Sequence, residues 1–324
     1  MRCFVSLSAG LLLMANTVWG QTNMAVLRKA DDLVAEKKYE SAFKLLNDYD
    51  PKNAQPAVAL KKEEIVLNYS IASSNYRSFT FKDLSTLESL EENQEHEAPG
   101  TRYRFRVRAV LDSLKQKYPD NYKLDRGLGD YYYAVQQCDC AEKKKTEDEL
   151  FPLMIKHYEE AHKHAYGDYK SYFVVGYAKQ RLGQFKQSVP YFLHSIELKK
   201  DFPTAHLNLA FVYLELKQYE KARTEAQLAV DQFPDEAHKS DASFLLSKIE
   251  ERIKTQKELL AAKKTGKKTS KTKKPATAKA TPAKNTATPE PKPAETKAAE
   301  AKSAEATPAD AKPAEAKPAE AKPN

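Results

Sequence analysis

Two cysteines one residue apart, in Cys138-Asp139-Cys140, and three histidines soon after them, His157, His162 and His164, are the residue types best suited to covalent or metal chemistry. Three states fit the cysteines: a tight disulfide between Cys138 and Cys140, thiols that stay free or cross-link two chains, or ligation of a soft metal. The disulfide is the first reading. For metal the histidine spacing is poor. His157 and His164 are seven apart, near one helix face, while His162 is rotated away by the helical period. Structural zinc usually shows Cys-x-x-Cys with paired His, a pattern not found here. No metal and no cofactor are expected. There is no Gly-rich phosphate loop, no Gly-x-Ser-x-Gly elbow and no His-Glu-x-x-His. The acidic runs Glu91-Glu92 and Glu147–Glu149 read as solvated loops. The residues that could do chemistry thus point away from an enzyme.

Charge and hydropathy divide the 324 residues into three stretches. Residues 1–20 have the form of a cleaved secretory signal: Arg2 at the start, a mostly apolar run from Val5 to Val18, and Gly20 ahead of Gln21. That run is too short for a stable span, and no later segment is apolar enough to anchor the chain. A periplasmic or secreted protein of bacterial type is expected. Residues 21–262 alternate helical patterns with short punctuation. From Lys263 to Asn324 there are 15 Lys against 7 Asp or Glu, a difference of +8 that equals the net charge of the whole chain. The body before it is neutral, so the basic balance does not argue for a nucleic-acid surface on the folded part. Residues 263–324 contain almost nothing apolar larger than Ala and carry a five-residue Lys/Glu/Pro beat, so a disordered tail is expected. It lacks the interleaved aromatics that stack on bases. It could tether the protein to an anionic surface, lipid or polysaccharide.

The elements that must position any site are helices. Apolar spacing predicts helices over about 24–35, 39–49, 56–74, 102–118, 122–137, 150–165, two further pairs within 169–236, and a capping helix over about 236–263. Two interruptions, about 75–100 and 138–149, break the regular array. The first holds Tyr76, Phe79, Phe81, Leu84, Leu87 and Leu90 and is expected to pack down.

Residues 169–202 lie over 203–236 at a spacing of 34: Gly176 on Ala210, Gly183 on Lys217, Phe185 on Tyr219, Ser188 on Ala222, Phe192 on Ala226 and Ser195 on Ala229. Small residues fall where helices touch, and aromatics fill the gaps. A fixed period of this length signals helix pairs that bury their faces on one another. The pattern resembles the tetratricopeptide repeat, specifically over about 70 residues and loosely over 21–262. The resemblance implies an all-α fold, a right-handed superhelical solenoid of about five helix pairs with a C-terminal capping helix. It also implies a concave peptide-binding face lined by helix positions two, five, nine, twelve and thirteen. In the third repeat these are Lys123, Arg126, Asp130, Tyr133 and Ala134. In the fourth they are Lys170, Phe173, Tyr177, Gln180 and Arg181, and in the fifth Thr204, Leu207, Phe211, Leu214 and Glu215. The residues expected to carry partner binding are Arg126, Tyr133, Lys170, Phe173, Tyr177, Arg181, Leu207, Phe211 and Leu214. Leu207 and Phe211 stand where the family's carboxylate clamp has Lys and Asn, so that clamp is not expected.

These observations predict a non-enzymatic protein–protein interaction scaffold of the cell envelope that binds a peptide or partner helix in its groove. The second reading, from another class, is a polyanion- or surface-binding adaptor acting through the basic tail.

Overall fold

A computed structural model describes residues 23–269, apart from 75, 96–99 and 139–144. The signal-like start, Cys140 and the tail from residue 270 lie outside the described residues. Residues up to Thr255 form one compact unit. The described part of the second is the distal stretch of the last helix.

The first unit is a run of helices packed mainly on their neighbours in the chain. Residues 23–35 form α1. They are followed by α2 (Tyr39–Tyr49), α3 (Pro56–Tyr69), α4 (Leu90–Glu95), α5 (Val107–Lys117), α6 (Lys123–Cys138) and α7 (Glu147–Lys163). Then come α8 (Tyr169–Arg181), α9 (Phe185–Leu198), α10 (Pro203–Glu215), α11 (Tyr219–Gln232) and α12 (Glu236–Thr269). The pairs α6–α7, α8–α9 and α10–α11 make the largest interfaces, and α7–α8 and α9–α10 join each pair to the next. One buried core runs from Ala30 on α1 to Ile253 on α12.

The 34-residue spacing works as the side-chain sizes require. A Cβ on Gly176 would come within 2.9 Å of the Phe192 ring, and in the next repeat the matching residues, Ala210 and Ala226, are both fully buried. Each of these pairs turns through one left-handed residue, Gly183 (φ 71°) or Lys217 (φ 59°). The amides of Gln184 and Gln218 close that turn onto Lys179 O and Tyr213 O, each at 2.8 Å. The first pair repeats the device: Lys37 has φ 58°, and Lys38 N bonds Leu33 O at 2.8 Å. The backbone thus shows α1–α2 to be the same unit as α8–α9, although their side chains match poorly.

The first interruption departs from the expected helices. The predicted 56–74 helix stops at Tyr69, and the predicted 102–118 helix begins at Val107. Between them lies an antiparallel three-stranded sheet in the order β1 (Ala72–Ser74), β2 (Ser78–Phe81), β3 (Thr101–Arg104). Phe79 pairs with Tyr103 and Thr80 with Arg102. The cause is period two: Ser78-Phe79-Thr80-Phe81 and Arg102-Tyr103-Arg104-Phe105 alternate, which suits one buried sheet face and no helix. That face carries Phe79, Phe81 and Tyr103. Phe81 and Tyr103, with Phe105, pack around Phe43 of α2, whose ring centroid lies 4.8 Å from Phe81, 5.2 Å from Tyr103 and 6.0 Å from Phe105. The segment packs down as expected through Phe79, Phe81 and Leu84, but Leu87 is 96% exposed. At the other end α12 runs to Thr269, beyond the predicted boundary near 262. Among the described residues no helix is long and apolar enough to cross a membrane.

Candidate functional site

The expected binding residues sit on α6, α8 and α10, the first helices of successive pairs, and α8 touches both others. Their C-terminal halves, with the start of α7, form a polar-aromatic face. Tyr177 of α8 stands edge-on to Phe151 of α7, with ring centroids 6.0 Å apart. Arg181, one turn further, donates from Nη1 to the Tyr177 hydroxyl at 2.9 Å. Its guanidinium lies 5.8 Å from the Tyr177 ring centre and 5.7 Å from that of Phe151, and it is ion-paired with Glu147. Gln136 of α6 donates to the other Glu147 oxygen at 3.0 Å. Tyr133 lies alongside, partly buried, and burial with the nearby Tyr177 pushes its phenol up to about 12. The Arg181 cation thus lies near two aromatic rings set edge to face and is held on one side by a carboxylate. Its face stays open to solvent, an arrangement that lowers the ordering cost of a contact.

Tyr177 and Phe211 occupy the same position in their repeats, and Phe211 is 36% exposed, with an edge contact to Phe185 at 6.2 Å. Lys170 is exposed. Leu214 is partly buried on the main core. Three expected residues are spent inside the fold. Phe173 is 9% exposed, packed against Phe192 at 5.8 Å and Phe202 at 5.1 Å, because the loop before α10 closes over it. Leu207 packs on the small cluster of Ala229, Phe233 and Ala242 that seats α12. Arg126 is committed to carboxylates: its Nε donates to Asp130 at 2.9 Å, and Nη1 reaches Asp168 at 3.1 Å.

That commitment builds a network through α3, α6, α7 and α8. Tyr158 of α7 donates to Asp130 Oδ1 at 2.8 Å. Asp168 caps α8 by accepting from Ser171 N at 2.8 Å, and although burial opposes it, Arg126 and that amide hold its carboxyl below the usual range. Glu63 of α3 is 5% exposed, and its Oε1 is buried without a hydrogen-bond partner. Burial, reinforced by the Asp130 charge, holds Glu63 well above the usual carboxylate range. Burial raises Asp130 as well, but its donors Arg126 and Tyr158 oppose that rise, and Glu63 has no such donor.

The histidines do not converge. Burial lowers His157, whose Nδ1 lies 3.4 Å from Asp125. His162 stacks on Tyr172 at 3.9 Å, is 3.0 Å from Ser171 Oγ, and is pushed down to about 4 by burial and the Arg126 charge. His164 stacks on Tyr122 at 3.3 Å. No group of three metal-ligating side chains occurs among the described residues. Cys138 ends α6, with its sulfur 3.2 Å from the Tyr76 hydroxyl. Its expected pairing with Cys140 falls outside the described residues.

Glu147, Phe151 and Gln136 were missed as parts of the face. The run Glu147–Glu149, expected as a solvated loop, is the first turn of α7, closed by a capping box between Thr146 and Glu149. The signal was legible: Thr-x-x-Glu before an apolar residue starts a helix. It places α7 one turn earlier and brings Glu147 to Arg181.

Family models described as tetratricopeptide repeat match residues 169–202 and 191–224. Residues 169–224 thus carry tetratricopeptide repeats. Among solved structures the chain is similar to a thermophilic TPR protein of Thermus thermophilus, at 14% identity over 69% of this chain and 98% of that one, with a TM-score of 0.41. It is also similar to Pseudomonas aeruginosa pilF, at 12% identity over 73% and 87%, with a TM-score of 0.48, and to YrrB, described as a TPR protein with an unusual peptide-binding site, at 14% over 64% and 81%, with a TM-score of 0.42. No curated protein matches the chain by sequence.

Proposed function

We propose that the protein is a non-enzymatic scaffold of the cell envelope, periplasmic or secreted, that captures a peptide or helix of a protein partner on the face formed by α6, α8 and α10. The observation that carries this reading is the Tyr177–Arg181–Phe151–Glu147 cluster beside the exposed Phe211 ring. Aromatic rings and a guanidinium already fixed in place give contact area with little rotamer entropy left to lose. A partner presenting an apolar side chain next to a carboxylate or carbonyl fits them: the rings take the first, and the Arg181 donors not used by Tyr177 and Glu147 take the second.

The test is capture from an envelope extract at physiological salt with the full mature chain, beside Tyr177→Ala/Phe211→Ala and beside a chain ending at residue 262. Proteins held by the native chain should be retained by the shortened one and lost by the double variant, by more than about 1 kcal/mol in affinity. Retention by the double variant would overturn the placement of the site. Loss with the shortened chain alone would move the function to the tail.

A further inference from the structure

Among the described residues the inserted sheet has an open edge, and its charge specifies what can pair with it. β3 is the last strand in the order β1-β2-β3, and no described strand lies beyond it. Phe105 N donates to Arg77 O at 3.0 Å, toward β2. In an antiparallel ladder the backbone groups alternate in direction, so Tyr103 and Thr101 also face β2, while Arg102 and Arg104 turn their N–H and C=O groups to the open edge. The side chains of these two arginines share one face of the sheet, opposite the face that packs Tyr103 on Phe43. Both are exposed, and neither has an ion-pair partner among the described residues. Arg106, two residues on, is exposed too and forms the N-cap of α5 without a side-chain cap bond. The first turn of α5 has no acid. A helix start favours negative charge, so three cations leading into it do nothing for α5 and raise the local positive potential.

Natural edges are usually blunted by Pro, bulges or charge. Here the charge is of one sign and sits at alternate positions, which repels a second copy of the same edge and leaves the ladder open to an acidic strand. We infer that the outer edge of β3 binds an extended peptide segment with carboxylates at alternate positions, added as a fourth strand. Its backbone pairs with the free groups of Arg102 and Arg104. Its acids lie directly across from these two side chains, where cross-strand neighbours are about 5 Å apart. The residues between the acids fall on the Tyr103 face, beside α2, and should be β-branched. This site is separate from the α6–α8–α10 face and does not depend on it.

A fluorescently labelled Thr-Glu-Thr-Glu-Thr-Glu-Thr peptide, blocked at both ends, would be titrated with the full mature chain by anisotropy at physiological salt. Three comparisons read the mechanism: a peptide of the same composition with its glutamates contiguous, the alternating peptide with Pro at its central position, and the chain carrying Arg102→Gln/Arg104→Gln. Each should weaken binding about tenfold, the sum of two charge pairs or of the lost ladder bonds. Tyr177→Ala/Phe211→Ala should bind unchanged. Equal binding of the contiguous or the proline peptide would show simple polyanion attraction and overturn strand addition, as would absence of binding. Loss of binding in Tyr177→Ala/Phe211→Ala with none in the arginine variant would move the peptide to the helical face. Unchanged melting of the arginine variant keeps the comparison clean.

Discussion

Two halves of one helical array solve the same packing problem with different materials. In α8–α11 the buried polar groups are mostly hydroxyls that find backbone carbonyls nearby. Ser188 donates to Phe185 O at 2.9 Å and Ser195 to Tyr169 O at 2.7 Å. In α3–α7 the chain buries formal charges instead. Lys62, fully buried, donates to Asp50 O and Asn53 Oδ1, both at 2.7 Å, and burial brings it down to about 8. Asp130 pairs with the Arg126 cation at 2.9 Å, Glu63 is buried near Asp130, and Asp125 takes Lys115 at 2.5 Å. The regular half relies mainly on shape, and the interrupted half places more ionisable groups in its core. Buried charge networks are expensive to break at one member and nearly neutral to replace as a whole. The two halves should therefore answer mutation and pH differently.

The largest contrast comes from the aromatics that fill equivalent gaps. A Cβ on Gly129 would meet the Tyr158 ring at 2.8 Å, as one on Gly176 would meet Phe192 at 2.9 Å. Phe192→Ala and Tyr158→Ala should each cost about 3–5 kcal/mol in urea unfolding. Only at Tyr158 does part of that loss come from a polar atom. Tyr158→Phe keeps the ring and removes the donor to Asp130, and should by itself cost about 1–3 kcal/mol. A silent Tyr158→Phe would show that the charge network adds no stability, and the comparison would fail. The glycines test the shape argument from the other side. Gly129→Ala and Gly176→Ala push a methyl into an aromatic ring, and both should lose about 1–3 kcal/mol.

This difference between halves also sets how much could be read without a structure. The fourth and fifth repeats were legible because one spacing of 34 carries small, aromatic and turn residues together. The boundaries of α2, Tyr39–Tyr49, were legible because Asp50-Pro51 stops it. The inserted sheet was not. Its strands are three or four residues long, and Arg102-Tyr103-Arg104-Phe105 leads straight into α5, so the two-residue alternation was absorbed into a helical pattern. The site was half legible. The positions of Tyr177, Arg181 and Phe211 follow from the repeat, but the burial of Phe173 depends on where the loop at Phe202 closes. The commitment of Arg126 depends on Asp168, which lies in the next repeat and 42 residues away. Contacts between repeats are set by the stacking of whole units and leave no periodic trace.

The next prediction turns on pH. Glu63 titrates well above its ordinary value of about 4.3 because burial and the Asp130 charge disfavour its anion. Between the two values the folded chain holds a proton that the unfolded chain has released, so stability is full below about pH 4.3 and falls as pH rises through the folded value. Glu63→Gln supplies the neutral form permanently. The variant should be about 1–2 kcal/mol more stable than the native chain at pH 8 and indistinguishable from it near pH 4, read as the change in melting temperature with pH. His162 runs the opposite way. It is held neutral down to about 4, so its contribution is present above pH 6.5 and lost as pH falls from there toward 4. His162→Asn should therefore flatten the acid side of the curve and leave the alkaline side alone. A gain from Glu63→Gln that persists at pH 4 would mean that the gain comes from packing and not from charge.

The smallest effects separate the repeats most finely, because they concern one backbone position. Lys37, Gly183 and Lys217 all hold the left-handed turn between paired helices. A lysine there pays a Cβ penalty that glycine does not. Lys217 makes no ion pair among the described residues, and Lys217→Gly should raise stability by about 0.5–1 kcal/mol. Gly183→Lys should lower it by a similar amount. At Lys37 the same change should give almost nothing, because its ammonium donates to Glu88 O at 3.1 Å and so ties the first turn to the inserted segment. Glycine keeps the turn's backbone bond, in which Leu84 N donates to Lys37 O at 3.0 Å, and loses the side-chain tie. Relief of strain and loss of that bond are of the same size, about 1 kcal/mol each. A clear gain at Lys37 equal to that at Lys217 would show that the insertion exerts no hold on the first repeat. A clear loss would show that the interrupted half leans on its insertion more than on its repeat geometry.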